Sequence, residues 1–587
     1  MNQQSTQVRH TKQPCRLSLA IAMALFAAGQ LHAQTAPTTT DQATQAAPAT
    51  KKDSKADKAK AATAADEKAA KQLTGLTVNG YSSSLNRAQD IKRFSDTVVD
   101  AISAQDAGSL PDLSVTEALQ RVPGVAVSAA GIPNDPDHFS IQGTDISLQG
   151  LPYTSTLFNG RQVFSAGGGQ GLNFSTVSPE LIGSVVVSKN QTADMLEGGI
   201  AGSIDLNTRK PFDSNKDTQA SVTLGDYWGD LAKKGTPQIA GLVSHNWNTD
   251  IGRFGVLANV AYDRIKQTDN GISLVNFQRR CNGCIVPMPA WAPSADSYPG
   301  LAEGTDGPYA YVPVGGDLRS QDETSTRFGH VLAAQWESPD KTWQATLEWD
   351  RASDTETTYE HTLQASTDGC GWSLPATCGI PLAGTTPTYD ANGVFQSGTI
   401  TALPNPGYTY PGYGGFQTQL DNTAFKSRYV TNDYSFNLKW NVNDRLHLSL
   451  DAQDTHSDYD YAYYYIRELT NANWYMALHG NNVPTVAVLS PDPNETAAQY
   501  FANPANPYWA SAQDSHRYSW GNQRAFRLDG DFDVDKGPLN DIQFGFRHTD
   551  QSETVQSSAF NYVPISTPSP GIDPITAADT PSYVSPY

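Results

Sequence analysis

The sequence predicts a small α+β domain followed by a transmembrane antiparallel β-barrel, of which about nine strands are present. Three observations carry that expectation. Of 587 residues 17% are charged, while 26 are Tyr, 20 Phe and 11 Trp, a composition that suits pleated surfaces because aromatic rings pack well on them. From about residue 219 onward, apolar and hydrophilic side chains alternate with the period of two that a strand with unlike faces requires. Short polar turns between these runs alternate with long segments, the asymmetry of an outer-membrane barrel. No apolar run reaches the roughly 18 residues of a membrane-spanning helix. A formal net charge of -20 argues against nucleic acid as a partner, since that affinity rests on clustered Lys and Arg.

At the N-terminus, Arg9, Lys12 and Arg16 precede an apolar run from Leu17 to Ala28. Leu31-His32-Ala33 offers a small residue for cleavage before Gln34, so residues 1–33 read as a secretory signal peptide. Residues 34–72 are Ala, Thr, Lys, Asp and Gln, too poor in apolar side chains to offset chain entropy, and read as a flexible periplasmic tether. Once Cys15 leaves with the signal, the cysteines form two close pairs, Cys281 with Cys284 and Cys370 with Cys378. Their spacing lacks the second ligand pair of a zinc site, so two short disulfides in oxidising surroundings are expected, with no metal and no cofactor.

Residues 73–213 have the composition of a compact mixed domain. Ser114-Val115-Thr116-Glu117 has capping-box spacing ahead of Ala118, Leu119 and Val122, and Pro123 stops the helix. Strands are expected in GVAVS, FSIQG, LFNGRQV, GSVVVSKN and GSIDLNT, each bounded by Gly or Asn. Residues 214–587 form the partial barrel, with strands at 219–228, 237–248, 252–266, 325–337, 342–360, 426–440, 445–465, 521–534 and 541–557. Trp343, Ala345, Leu347 and Trp349 against Gln344, Thr346, Glu348 and Asp350 show the alternation well, as do Tyr434, Phe436 and Leu438 against Asp433, Ser435 and Asn437. Turns fall at 248–252, 338–341, 441–445 and 533–540, and long outer loops at 268–324, 365–424 and 467–518.

The segments LPDLSVTEALQRVPGVAVS, FSIQG and LFNGRQVFSAGGGQGLNFSTVSPELIGSVVVSKNQTADMLEGGIAGSIDLNTRKPFD resemble the plug domain of TonB-dependent outer-membrane receptors. They are closest to the branch known from Xanthomonas-type and Caulobacter-type receptors. The resemblance implies a plug inside a 22-stranded barrel in the outer membrane of a Gram-negative bacterium. It further implies import energised through TonB and the inner-membrane ExbB/ExbD complex. By the same resemblance Leu76-Thr77-Val78-Asn79 is placed as the TonB box, with the first plug strand as the other reading of those residues. Where the family usually has Ile-Arg-Gly, this chain has Ile141-Gln142-Gly143, which puts the family arginine's plug-to-barrel ion pair in doubt. Residues 558–587 read as an outer loop cut short, so a fragment lacking about 13 family strands is expected.

No G-x-S-x-G or H-E-x-x-H occurs, the Gly-rich AGGGQG lacks the Lys-Ser/Thr of a phosphate loop, and no enzyme is expected. Leu446, Leu448, Leu450 and Ala452 place even positions toward lipid, so Tyr461, Tyr463 and Tyr465 face the lumen. With Trp474 and Tyr475 they are the candidate ligand residues; a headgroup girdle is the other reading of the tyrosines. An acidic, aromatic vestibule suits an extracellular oligosaccharide better than an anionic ferric siderophore. A siderophore or metal-chelate receptor and a non-functional truncated remnant are the alternatives.

Overall fold

The computed structural model describes residues 86–580 apart from 96, 104–113, 129, 133–134, 140–142, 144, 168–171, 215, 282–301, 305–306, 366–379, 403–413, 537–538, 559 and 570. A helix over 86–94 (α1) opens the N-terminal domain. Strand β1 (Val99–Ser103), helix α2 (Val115–Leu119), and strands β2 (Val125–Ser128), β3 (Ala130–Ile132), β4 (Asp135–Phe139), β5 (Asp145–Leu148), β6 (Thr154–Phe158), β7 (Ile182–Ser188) and β8 (Gly202–Thr208) follow. Ser114 caps α2 by accepting from the Glu117 N–H, as its spacing requires. The principal sheet has the order β1-β7-β8-β6, antiparallel except for β6 beside β8. Leu119, Leu148, Phe158, Val185, Val187, Ile204 and Leu206 form its core, each such burial contributing about 1.5–3 kcal/mol.

One local expectation is corrected and one is only partly described. The strand expected in LFNGRQV stops at Phe158, because Asn159 (φ 52°) and Gly160 (φ 74°) turn the chain, and the Phe158 N–H donates across the turn to the Arg161 carbonyl. The strand expected in FSIQG is described only to Phe139; Ile141 and Gln142 lie outside the described residues.

The second part is one large antiparallel sheet. Its long strands are β9 (Thr218–Gly229), β10 (Lys234–Thr249), β11 (Gly252–Cys281), then, after the short β12 (Ala302–Gly304), β13 (Gly307–Glu337) and β14 (Trp343–Ala365). Short strands β15 (Ile380–Pro381), β16 (Thr388–Tyr389) and β17 (Phe395–Thr401) precede β18 (Phe416–Asn443) and β19 (Leu446–His479). Strand β20 (Asn482–Leu489), helix α3 (Ala497–Ala502), β21 (Tyr508–Lys536), β22 (Leu539–Ser557) and β23 (Asn561–Pro564) complete it. The long strands pair in the order β9-β10-β11-β13-β14-β18-β19-β21-β22. The turns at residues 250–251, 338–342 and 444–445 are tight and lie at one end of the sheet.

Where described, much of the long segments at the other end is strand rather than the loop expected. The ladder of β11 with β13 continues from Thr268↔Asp322 to Cys281↔Tyr309, and β19 runs on to His479. Side-chain alternation fades where both faces are polar, but the backbone ladder needs no alternation to continue. Strands β17, β19 and β20 pair above it, and Phe395, Ile400, Phe416, Trp474 and Met476 form a second core there.

One face of the large sheet holds the N-terminal domain. Asn246 (β10) donates to the Pro211 carbonyl at 3.0 Å, Asn259 (β11) to the Glu180 carbonyl at 3.0 Å, and Gln523 (β21) to the Gln162 carbonyl at 2.7 Å. Contacts from β10 through β21 to one domain require the sheet to curve around it. The other face is apolar and open: Phe254, Val256, Ala258, Val260 and Tyr262 on β11 point outward, as do Trp336, Ala334, Leu332 and Phe328 on β13. From Phe254 to Tyr262 the strand advances by about 27 Å at the usual rise.

Gly202 has φ 131°, and a Cβ there would lie 2.2 Å from the Ser188 carbonyl oxygen, whereas Gly198, at φ 123°, has open space. Gly202→Ala is therefore expected to cost on the order of 2–3 kcal/mol, and Gly198→Ala clearly less, read as the drop in thermal midpoint in detergent. At the β13–β14 turn, the Ser338 hydroxyl donates to the Asp340 carboxylate at 2.6 Å and the Thr342 N–H at 3.1 Å, which holds its pKa at about 2 rather than 3.8. The depressed value means that the turn's support from Asp340 is full above pH 3.8 and is lost as pH falls toward 2. A carboxyl chemical-shift titration checks it.

Candidate functional site

The Asn159-Gly160 turn aims Arg161 at the inner face of the large sheet. Its guanidinium reaches Glu348 on β14 at 3.3 Å and Asp451 on β19 at 3.2 Å. Lys210, just after β8, pairs with the same Glu348. Burial opposes the charge on Arg161, but Glu348, Asp433 and Asp451 outweigh it and hold its pKa above the ordinary value. Within the wall, Arg327 on β13 pairs with Asp263 on β11 at 2.6 Å and donates to the Ser175 carbonyl at 3.1 Å. The Ser178 hydroxyl donates to the other Asp263 oxygen at 2.6 Å. Glu348 is 3% exposed at its side chain and Arg327 1%, so the Arg327–Asp263 pair is desolvated and the pairs at Glu348 largely so, all of them charge-assisted contacts.

A second feature rises from this interface. Phe164, Ala166 and Tyr459 form a small core with Tyr429 and Tyr461 packed on it, and the Ala166 N–H donates to the Ser457 hydroxyl at 3.0 Å. Tyr429 and Tyr459 lie 4.4 Å apart between ring centroids. A Cβ at Gly167, φ 139°, would sit 3.0 Å from the Tyr429 ring, so this close approach needs glycine. Above it on β19, Tyr461 contacts Phe425 at 5.1 Å, and Tyr463 and Tyr465 stack at 6.5 Å with planes 9° apart. Arg467 lies over the Tyr465 ring and grips Asp421 through two bonds of 2.9 and 3.0 Å.

The expected ligand set divides. Tyr461, Tyr463 and Tyr465 share the inner face and are half-buried. Trp474 is corrected: it is 1% exposed, and its indole N–H donates to Thr418 at 2.9 Å inside the core beneath β17 and β20. Its even position puts it on the opposite face from the tyrosines, where packing excludes a ligand. Tyr475 has the parity of the tyrosines and is 36% exposed. Tyr508 is buried. Leu76, Thr77, Val78 and Asn79 lie outside the described residues, as do Cys284, Cys370 and Cys378, while Cys281 ends β11. Among the described residues no group of three His, Cys, Asp or Glu is placed to hold a metal ion.

Residues 91–203 match the TonB-dependent Receptor Plug Domain. The α+β domain is thus similar to a plug, and its partner is the large antiparallel sheet. Among solved structures, similarity is found to the copper transporter OprC, at 10% identity over 79% of this chain and 76% of that one, with a TM-score of 0.24. A ferric enterobactin receptor (PfeA) mutant from Pseudomonas aeruginosa gives 11%, 79%, 78% and 0.25, and the unliganded ferric citrate transporter FecA 11%, 80%, 75% and 0.26. No curated protein sequence matches the chain.

The plug-to-wall cations, Arg161 and Lys210, were missed by the sequence reading. The signal was present in NGR, a turn followed by a cation in the middle of an apolar strand pattern. Arg161→Ala would leave the buried Glu348 with Lys210 alone and the part-buried Asp451 without its cation, and is expected to destabilise plug seating by about 3 kcal/mol. Urea-dependent protease access to the plug measures it, and a cycle with Glu348→Gln should show coupling above about 1 kcal/mol.

Proposed function

We propose that this chain is a TonB-dependent outer-membrane receptor that imports a nutrient, with a neutral oligosaccharide as the favoured ligand class. The observation that carries the reading is the placement of a plug-type domain against the polar face of a sheet whose opposite face is apolar. The stretch of about 27 Å between Phe254 and Tyr262, tilted by about 40°, spans about 20 Å, close to the apolar band of an outer-membrane barrel at about 25 Å. Aromatic residues at both ends of that stretch suit the headgroup girdles, as do Trp343 and Trp440, stacked at 4.7 Å beside the tight turns.

In this reading Leu76-Thr77-Val78-Asn79 is the TonB box, an extended segment able to add edge-on to a strand of TonB, which relays energy from ExbB/ExbD. The tether at 34–72 and a signal peptide at 1–33 complete the periplasmic side. The ligand contacts the inward Tyr461, Tyr463 and Tyr465. Tyrosine faces stack on sugar rings and their hydroxyls can bond to sugar hydroxyls; Glu360 and Asp421 share this face, each already paired with an arginine, Arg319 and Arg467.

Deleting residues 76–79 is expected to abolish energy-dependent uptake of labelled oligosaccharide while surface binding persists. Equal uptake by the deletion would refute the transport reading. Tyr461→Ala and Tyr463→Ala should each weaken binding of a neutral oligosaccharide by about tenfold in calorimetry. Unchanged oligosaccharide binding together with tight binding of a ferric siderophore would reassign the ligand.

A further inference from the structure

The plug-to-wall interface carries more buried acid than cation. Arg161 and Lys210 enter it from the plug, and Glu348 and Asp451 take their ion pairs. Two further wall carboxyls, Asp350 on β14 and Asp433 on β18, have no ion pair within 4.0 Å among the described residues. They are directly opposite each other in the ladder, on the inner face, and 5% and 2% exposed. Directly opposed like charges on one sheet face repel, and here water is not present in bulk to screen them. One oxygen of each is served: Asp350 Oδ2 accepts from Asn159 at 3.5 Å, and Asp433 Oδ1 from Gln453 at 2.8 Å and from Thr455. The second oxygen of each, Asp350 Oδ1 and Asp433 Oδ2, is buried without a partner.

Both carboxyls line one cavity of about 20 Å³, closed by Phe158, Val163 and Leu172 of the plug. That space suits about one water and is walled mainly by hydrocarbon, a poor shell for a metal ion, which needs several oxygen ligands. A proton removes the repulsion without any shell, and turns an unpartnered acceptor into a donor.

We propose that Asp350 and Asp433 form a buried acid pair that shares one proton at neutral pH, and that its loss loosens the plug from the wall. The charged groups around the pair are consistent with this. From the plug come Arg161, Lys210 and Asp205, the last accepting from the Gly160 N–H at 2.9 Å. From the wall come Glu348 and Asp451, both already ion-paired, and His330 and Arg351 beside the cavity, with Arg351 held by Asn432 at 2.8 Å. The inference depends on the contact between plug and wall and holds whatever the receptor imports.

The sign follows from linkage. Ionisation of the seated pair restores the repulsion that the proton removed, so plug seating weakens as pH rises through the range in which the pair gives up its proton. One proton allows at most a tenfold change in the seating equilibrium per pH unit. The test uses the full chain in detergent. Infrared spectra at neutral pH should contain a protonated-carboxyl band that loses intensity in Asp350→Asn and in Asp433→Asn, since each substitution removes one half of the pair. Protease access to the plug should rise with pH in the unsubstituted chain and be flat in the double Asn variant. Absence of the band at neutral pH, a band unmoved by either substitution, or a slope that survives in the double variant would each overturn the proposal. So would plug seating that follows Na⁺ or Ca²⁺ concentration at fixed pH, which would make the pair a cation site. Where the Asn variants fail to fold, the unsubstituted chain decides by its slope: protease access to the plug that does not rise with pH overturns the proposal.

Discussion

Buried carboxylates on the inner face of the wall set the terms for everything else. Asp263, Glu348, Asp350 and Asp433 are buried there on a curved sheet, and Asp451 beside them is part-buried. An unpaired buried charge costs several kcal/mol, so such a face is tolerable only against a partner that brings donors. The plug brings them from its turns and strand ends: Arg161 after β6, Lys210 after β8, Ser178 before β7 and Asn159 in the turn itself. The wall also needs Arg327, which answers Asp263 and then reaches the plug backbone. Plug and wall are thus conditions for each other, and the φ 52° and 74° turn at Asn159-Gly160 is the element that joins the plug core to the ion network.

The alternation of the wall was legible because its two faces differ so strongly. The nine expected strands correspond to the paired long strands in order, and Glu348, Asp350 and Asp433 were already assigned to a hydrophilic face. Their partners were not legible. A carboxylate facing an ion partner has the same place in a period-2 pattern as one facing water, and Arg161 is separated from Asp451 by 290 positions. Strand ends were misjudged for a related reason. Above Tyr262 and Phe328 the apolar face ends, so the signal used to find strands disappears while hydrogen bonding of the ladder continues to Cys281 and Gly307. Trp474 was legible and misread: its even number on β19 places it with Tyr464 and Ile466, away from Tyr463 and Tyr465.

The extended ladders also explain how the upper tyrosines can act with the plug. Tyr459, Tyr461, Tyr463 and Tyr465 occupy alternate positions of one strand, with neighbouring rings 6.2 Å apart at the bottom and 6.5 Å at the top. The lowest rung already touches the plug at Ala166 and Gly167. The top is fixed by Arg467 and Asp421, and higher still the core around Trp474 covers the outer face of the same strands. A cap on that side leaves the inner face free while it stiffens the ladder that carries the rings. A ligand stacked on Tyr463 and Tyr465 would therefore sit on a braced strand, two rungs above a contact where plug backbone lies against tyrosine. Tyr459 packs against Tyr429, 4.4 Å away between ring centroids, and against Phe164 and Ala166 of the plug, so a shift of Tyr459 presses on one or the other. Close packing of this kind transmits displacement in steps rather than absorbing it, so a ligand seated on the proposed tyrosine column would meet the plug through the base of that column.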